Sequence, residues 1–243
     1  MHHYRLDVEY DGTDFKGWQV QPDQRTVQGE LEARLETLFR QPIRTTAAGR
    51  TDTGVHALGQ VVSFSAPRLA DPDELGKSLN GMLPQDVVIR STSSADEAFN
   101  ARFSATGRHY YYDIAYSERA ISRRYVWMRR ERLSTAALRE ASRHVLGEHD
   151  FTSFCVAARE RESRVCDVRT CDWTERDDGL RLTISANRFV RSMVRSLVGT
   201  FVDIGRGFRG ADEVPDILTA CDRSSAGPTA PPQGLFLSRV DYD

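Results

Sequence analysis

The sequence predicts an α+β protein whose sheets are mostly antiparallel. Three observations lead to this class: short segments that alternate apolar and polar residues, longer segments with helical periodicity between them, and strand pairs that follow each other directly as hairpins. A doubly wound parallel fold would instead alternate strand and helix throughout, so the mixed order argues against it.

Length and composition limit the classes that remain. The 243 residues, 40% of them hydrophobic, suffice for one large α/β domain or two small fused ones. No apolar run approaches the ~20 residues needed to span a bilayer, and the first residues lack the basic and then apolar order of a signal peptide. We therefore expect a cytoplasmic protein without membrane association.

The cysteines indicate neither a disulfide framework nor a metal site. No two of them form a C-x-x-C pair, and in a reducing compartment scattered thiols are usually small core residues. We expect no bound metal, and we expect all four cysteines in the core: Cys155, Cys166, Cys171 and Cys221.

The first half reads as strands and helices in the order βαββαβ. Residues 4–10 alternate with period two, and Asp11-Gly12-Thr13 breaks the pattern. Thr26 is a suitable N-cap for an amphipathic helix that reaches about Gln41. The remaining elements predicted here are strands at 43–48 and 60–65, a helix near 72–83 and a strand at 87–89.

The second half repeats the theme. Residues 101–116 are rich in aromatic and β-branched residues and predict a long strand or a hairpin. We place the domain boundary here, with an N-terminal α/β half at 1–100 and a C-terminal α/β half at 101–243. The further elements predicted are a strand at 125–127, a helix at 134–146, a hairpin of 164–175 with 179–186, helices at 188–204 and 212–221, a shaped Pro-rich loop at 227–232, and a strand at 234–241.

Charge is unevenly distributed along the chain. The net charge is −2, yet eight arginines face only three acidic residues between Arg102 and Arg132, and five face only Asp203 between Arg188 and Arg209. Arginine suits bidentate phosphate contacts and stacking on bases. A G- and C-rich genome explains most of the excess of Arg over Lys, although it does not explain the clustering.

One loop carries the densest candidate chemistry. The segment Gly49 to Ala57 places Asp52 between glycines, an arginine and a histidine, and it lies between two predicted strands. A nearby cation such as Arg50 favours the ionised carboxylate that a nucleophile or base requires. Spacing alone slightly favours a plain Asx-turn carboxylate, and Asp52 with His56 is too small a set for a metal site.

Two further segments combine arginine with aromatic or small residues. In the strand from Arg102, side chains at Arg108, Tyr110 and Tyr112 share one face, which could stack an unpaired base and hold its phosphate. Core packing is the better interpretation for Tyr111 and Tyr112, and for Tyr110 both interpretations stay open.

The predicted helix at 188–204 has one narrow basic face. Arg188, Arg191 and Arg195 lie there at i, i+3 and i+7, beside Ser192, Ser196 and Gly199. Small residues would allow a backbone or RNA to come close, whereas a solvated face is the commoner fate of such a stripe.

Together these segments resemble the bacterial tRNA pseudouridine synthase A family, in the family's order and over nearly the whole chain. The GRTDxGVHA pattern at Gly49 to Ala57 is highly specific. The other matching blocks are Tyr10 to Gln19, Thr26 to Leu31, Phe99 to Ala105, His149 to Phe151, Asn187 to Gly199 and Ala226 to Leu235. The segment Glu118 to Ser122 departs from the family's usual Asn/Pro-rich turn.

The resemblance implies roles for individual residues. Asp52 falls on the catalytic aspartate, Tyr110 on the active-site tyrosine that stacks on the target base, and Arg195 on the basic partner of the aspartate. Arg50 falls on an arginine that the family uses for RNA contact. We expect the two basic segments to bind RNA as well. The candidate RNA-binding residues are Arg50, Arg102, Arg108, Arg188 and Arg191.

The resemblance also implies a fold, a substrate and a partner. The fold is two related α/β halves around a central, mostly antiparallel sheet with a basic active-site cleft. The expected activity is isomerisation of uridine to pseudouridine at positions 38 to 40 of the tRNA anticodon arm, by a homodimer and without a cofactor. The alternative is a non-catalytic RNA-binding or RNA-folding protein on the same fold; a metal-dependent nuclease would need more carboxylates than the Asp52 loop offers.

Overall fold

The computed structural model describes residues 1–156 and 163–243. The chain forms two compact units: the first comprises Met1–Thr106 with Phe236–Asp243, and the second comprises Gly107–Leu235. The strands are β1 His2–Tyr10, β2 Thr45–Ala47, β3 His56–Ala66, β4 Val87–Ser94, β5 Ala105–Ala115, β6 Trp127–Met128, β7 Gly147–Asp150, β8 Val165–Arg176, β9 Gly179–Ala186 and β10 Leu235–Tyr242. The helices are α1 Val27–Phe39, α2 Pro72–Met82, α3 Thr135–Arg143, α4 Met193–Gly205 and α5 Val214–Ala220.

The first unit is built on a sheet with β1 at its centre. Antiparallel partners β4 and β3 flank β1, and β2 pairs antiparallel with β3. The last strand, β10, lies parallel to β3, with Phe236 opposite His56. The alternate residues of β1 and the apolar stripe of α1, including Leu6, Val8 and Leu31, are fully buried, as their periodicity predicts. Helix α1 begins where predicted, because the Thr26 hydroxyl accepts from the Gly29 amide at 3.2 Å.

The second unit is an antiparallel sheet in the order β5-β9-β8-β7, to which β6 adds a short parallel pair with β5. The β8–β9 hairpin closes at Arg176 opposite Gly179, which confirms the predicted turn. Trp173 of β8 and Phe201 of α4 meet edge to face, with their ring centroids 6.3 Å apart in the core. The α+β class and the mostly antiparallel pairing are therefore confirmed.

The predicted helix at 188–204 is wrong in its first turn. Helix α4 begins at Met193, and Ser192 before it has a left-handed backbone with φ of 60°. The carbonyls of Val190 and Arg191 accept from Met193 and Val156, so the Arg191 carbonyl is engaged outside the helix. Arg188 and Arg191 therefore lie in the segment before the helix, and only Arg195 of the three belongs to α4.

Other differences are smaller. Helix α3 ends at Arg143, and residues 147–150 form an edge strand that the sequence analysis missed, because Gly-Glu-His-Asp carries no apolar alternation. Strand β3 begins at His56 and not near residue 60, so it follows the Asp52 loop directly. Three cysteines are buried as expected, whereas Cys221 is exposed because it lies just beyond the end of α5 in a left-handed conformation. No helix within the described residues is long and apolar enough to cross a membrane.

Candidate active site

Asp52 lies half-buried in the loop between β2 and β3, within the first unit. The Val55 amide donates to the Asp52 carbonyl at 3.1 Å, which closes a tight turn over Thr53 and Gly54. Gly54 has a φ of 76°, a conformation that glycine adopts without the steric cost other residues incur. The glycine after the carboxylate is thus required by the turn itself.

A neighbouring segment holds the loop on both sides of Asp52. The Trp18 amide donates to the Thr51 carbonyl at 3.1 Å, and the Gly54 amide donates to the Phe15 carbonyl at 3.3 Å. Gly17 has a φ of 91°, and a Cβ there would lie 2.8 Å from the Thr51 carbonyl oxygen. The close approach therefore requires glycine, and the backbone position of Asp52 is fixed from outside its own loop.

Buried polar side chains of β1 and β3 hydrogen-bond to the residues that precede Asp52 in the loop. The Tyr10 hydroxyl lies 2.8 Å from Thr51 Oγ1, and Gln60 Nε2 donates to the Gly49 carbonyl at 2.7 Å. Gln60 Nε2 also lies 3.5 Å from the Tyr10 hydroxyl. Burial raises the pKa of Tyr10 to about 12, so its hydroxyl stays protonated at neutral pH and continues to serve the network.

His56 anchors the other end of the loop. The Gly12 amide donates to His56 Nδ1 at 3.1 Å, which assigns the ring proton to Nε2. The same nitrogen lies 3.1 Å from Asp11 Oδ1, so a proton on Nδ1 would replace the Gly12 hydrogen bond with an ion pair. The ring, 1% exposed, stacks on Phe236 of β10 with centroids 4.6 Å apart. His56 therefore links the end of the loop to the Asp11–Gly12 segment and to β10.

Tyr110 lies in the middle of β5 in the second unit, opposite Ile184 of β9. Its side chain is 7% exposed and meets Phe189 edge to face, with centroids 5.1 Å apart. Tyr112, on the same face of the strand, is a core residue as expected. Tyr111 is not: it points to the opposite face and is half-buried, and the Arg181 guanidinium lies 3.9 Å from its ring centroid.

Arg195 is held in the first turn of α4 by the Pro-rich loop. Its Nε–H donates to the Ala230 carbonyl at 2.8 Å, and the Ala230 amide donates back to the Arg195 carbonyl at 3.0 Å. One turn further along α4, a Cβ on Gly199 would lie 1.6 Å from the Pro228 carbonyl oxygen. The small residues of α4 thus allow the backbone of the loop at 227–232 to pack closely against the helix. The sequence analysis gave close approach of a backbone as one of its alternatives.

The five arginines predicted to bind RNA differ in exposure. Arg50 and Arg191 are exposed, Arg102 and Arg188 are half-buried, and Arg108 is 8% exposed. The Arg108 guanidinium donates to the Asn187 carbonyl at 2.7 Å, so part of its hydrogen-bonding capacity holds the chain between β9 and α4. Arg108 therefore offers a phosphate the smallest surface of the five.

Sequence reasoning missed the residues that support the site. Gln60 directly precedes the buried residues Val61 and Val62 in β3, and a polar residue at the start of that apolar pair is a weak signal that could have identified it. Phe189 was placed within the predicted helix at 188–204 and was given no role. The Ala230 carbonyl is a backbone group, and no side-chain pattern identifies it.

Comparison with known proteins supplies the family. A family model described as "tRNA pseudouridine synthase" matches residues 8–104 and 141–243. The chain belongs to the tRNA pseudouridine synthase family. Asp52 and Arg195 lie within the matched ranges, and Tyr110 lies between them.

Curated members of the tRNA pseudouridine synthase family match the chain over nearly its full length. A protein named tRNA pseudouridine synthase A from Geobacillus sp. is 45% identical over 98% of both chains, and one from Bacillus subtilis is 43% identical over 98% of both. One from Geobacter sulfurreducens is 40% identical over 100% of both. A chain of a solved Cbf5-Nop10-Gar1 complex aligns with a TM-score of 0.30 and 12% identity, covering 82% of this chain and 54% of that one, which is too loose to support an argument.

Proposed function

We propose that this protein isomerises uridine to pseudouridine in the anticodon arm of tRNA, at positions 38 to 40. The observation that carries the proposal is the family match over nearly the whole chain, together with a half-buried carboxylate whose backbone is hydrogen-bonded on both sides. Loops held in this way place a reactive group where the fold requires it. Of the five candidate arginines, Arg50 and Arg191 are exposed and can meet the phosphates of an RNA substrate.

The reaction needs no electron carrier and no group carrier. The bond between C1′ and N1 breaks, the uracil turns, and a bond between C1′ and C5 forms. C5 loses a proton and N1 gains one, so the atoms of substrate and product balance. The protein has to supply an ionised carboxylate near the ribose, a surface that retains the detached uracil, and a route for the C5 proton.

We assign these duties to Asp52, Tyr110 and Arg195, the residues on which the family's catalytic positions fall. Asp52 is the carboxylate that attacks C1′ or removes the 2′ proton. Tyr110 stacks on the uracil, and its edge-to-face contact with Phe189 supports the ring in one orientation. Arg195 falls on the family's basic partner of the aspartate, and the Ala230 carbonyl orients its guanidinium through Nε.

The test is pseudouridine formation by the purified protein on a tRNA transcript labelled with tritium at C5. We expect tritium release, and mapping of the product should find pseudouridine at one or more of positions 38 to 40. Asp52→Asn should abolish release while tRNA affinity stays within about twofold, because the amide keeps the shape but provides neither nucleophile nor base. Asp73→Asn, at an exposed carboxylate of α2, is the matched control and should keep full activity.

Two outcomes would contradict the assignment. Binding of tRNA by the wild-type protein without any pseudouridine would favour a non-catalytic RNA-binding role. Turnover by Asp52→Asn beyond what deamidation back to Asp supplies would remove Asp52 from the reaction.

The proposal extends to binding and assembly. Affinity for tRNA should fall linearly with salt concentration on logarithmic axes, and charge reversal at Arg191 should weaken binding to different tRNAs alike. A flat salt response would contradict phosphate contacts by these arginines.

The family resemblance supports a homodimer working in the cytoplasm, and sedimentation equilibrium should give twice the chain mass of 27.4 kDa.

A further inference from the structure

One large aromatic side chain of the first unit stands in solvent on a short turn. Phe103 is 77% exposed and lies in the turn that follows Asn100 and leads into β5. A phenylalanine ring held outside the core gives up the stabilisation that its burial would provide. An exposed aromatic ring offers a flat face on which a base can stack.

The turn that carries Phe103 is rigid. Asn100 Oδ1 accepts from the amides of Arg102 and Phe103 at 3.0 and 3.1 Å. Ser104 Oγ accepts from the Asn100 amide at 3.1 Å, and the Ser104 amide returns a bond to the Asn100 carbonyl at 2.9 Å. A ring on such a turn loses little conformational entropy when a partner binds.

The body of the unit fixes this turn at its base. The Ala101 amide donates to Ser63 Oγ on β3 at 3.0 Å, and the Tyr242 hydroxyl donates to the Ala101 carbonyl at 2.7 Å. Ala101 itself is fully buried. Phe103 is therefore presented from a fixed point of the sheet rather than from a loose loop.

A cation accompanies the ring. The Arg102 guanidinium carbon lies 5.3 Å from the Phe103 centroid, within the range of a cation–π contact. Arg102 also begins the basic segment that runs to Arg132. A flat ring with a cation beside it matches the chemistry of a nucleobase and its phosphate.

We propose that the Asn100–Ser104 turn is a docking contact for tRNA, where an unpaired base stacks on Phe103 and Arg102 meets the adjacent phosphate. This inference rests on the proposed function, since it takes tRNA as the partner. RNA is favoured over a second copy of this chain because RNA offers both groups that Phe103 and Arg102 match, a flat base and a negatively charged phosphate.

The contact acts on binding and not on the chemical step. Ser63 lies seven residues along β3 from His56, the residue at which the Asp52 loop enters the strand, and a rise of about 3.3 Å per residue separates the two points by about 23 Å. A base stacked on Phe103 is consequently a different nucleotide from the one that Asp52 attacks. Loss of the ring should raise KM and leave kcat near its wild-type value.

The experiment compares tRNA affinity and turnover for Phe103→Ala and Phe103→Trp with the wild-type protein. Phe103→Ala should weaken tRNA binding about tenfold, with kcat at saturating tRNA unchanged and the slope of affinity against salt unchanged, because no charge is lost. Phe103→Trp should bind at least as well as the wild type, and its fluorescence should be quenched on adding tRNA. Arg102→Gln should reduce the salt slope by about one.

The matched control is Leu69→Ala, at a side chain that is 72% exposed in the same unit but has no aromatic face. It should bind tRNA as the wild type does. Unchanged affinity in Phe103→Ala, or no quenching in Phe103→Trp, would overturn the proposal while leaving the pseudouridine activity of the wild type intact. A shift of Phe103→Ala from dimer to monomer with unchanged tRNA affinity per site would show that the ring instead packs against a second copy of this chain.

Discussion

Gly199 of α4 offers a sharp test of how the Pro-rich loop holds Arg195. In Gly199→Ala the new methyl would lie 1.6 Å from the Pro228 carbonyl oxygen, whereas real Cβ atoms essentially never come within 3.0 Å of another heavy atom. The loop must therefore withdraw by about 1.4 Å or more. Such a movement breaks the reciprocal pair of hydrogen bonds between Arg195 and Ala230.

The opposing contributions can be compared. Loss of two hydrogen bonds costs about 1–3 kcal/mol, and overpacking costs about another 1–3 kcal/mol. Replacing glycine by alanine inside a helix stabilises the folded protein by about 1 kcal/mol. We expect the free energy of unfolding to fall by about 1–5 kcal/mol. Turnover should fall on the order of 100-fold, because a displacement of about 1 Å near a reacting centre has that effect.

The assay is thermal unfolding by circular dichroism together with tritium release from tRNA. Gly81→Ala is the matched control, since Gly81 also lies in a helix and a Cβ there meets nothing within 4 Å. Gly81→Ala should be neutral or more stable than the wild type by up to about 1 kcal/mol, and fully active. If Gly199→Ala proved as stable as Gly81→Ala, the close approach of the loop to α4 would be refuted.

Three further perturbations test separate parts of the molecule. Tyr10→Phe removes the hydroxyl partner of Thr51, so the free energy of unfolding in denaturant should fall by about 1–3 kcal/mol. Single-turnover rates should drop while tRNA affinity is retained. Wild-type rates would show that the buried network does not position the loop. Tyr110→Phe keeps the ring and should bind tRNA normally but turn over far more slowly, whereas Tyr110→Ala should lose about 1–3 kcal/mol of binding; normal turnover in Tyr110→Phe would reduce the residue to a stacking platform. Iodoacetamide at pH 8 should modify only Cys221 of the native chain, since burial raises the pKa of Cys171 to about 12, and a second adduct in mass spectra would contradict that burial.

The sequence was sufficient where local signals and tertiary packing agree. The Thr26 cap, the alternation of β1 and the turn of the β8–β9 hairpin each follow from a few neighbouring residues, and the structure confirms all three. The Asp52 loop was also located correctly between two strands. Its glycines, its histidine and its carboxylate lie together in sequence because one turn uses them together.

The failures occur where distant main-chain groups decide the outcome. The apolar and basic periodicity of α4 continues back to Arg188, but the Arg191 carbonyl accepts from Val156, and no local pattern reveals that bond. Strand β7 forms because β8 offers a partner edge, although its four residues carry no strand signal. Tyr111 was placed in the core by its composition, whereas the parity of β5 turns it towards Arg181.

The strand that follows the Asp52 loop, β3, pairs with β10, which is synthesised much later than the rest of the first unit. The first unit contains Met1–Thr106, but its last strand and the Phe236 ring that packs on His56 come from the final eight residues. At about 5–20 residues per second, the ribosome needs about 6–26 s to add the roughly 130 residues between these two parts. Throughout that interval the nascent protein carries its candidate carboxylate on an unfinished sheet, so an active enzyme can arise only once β10 has been synthesised and has paired with β3.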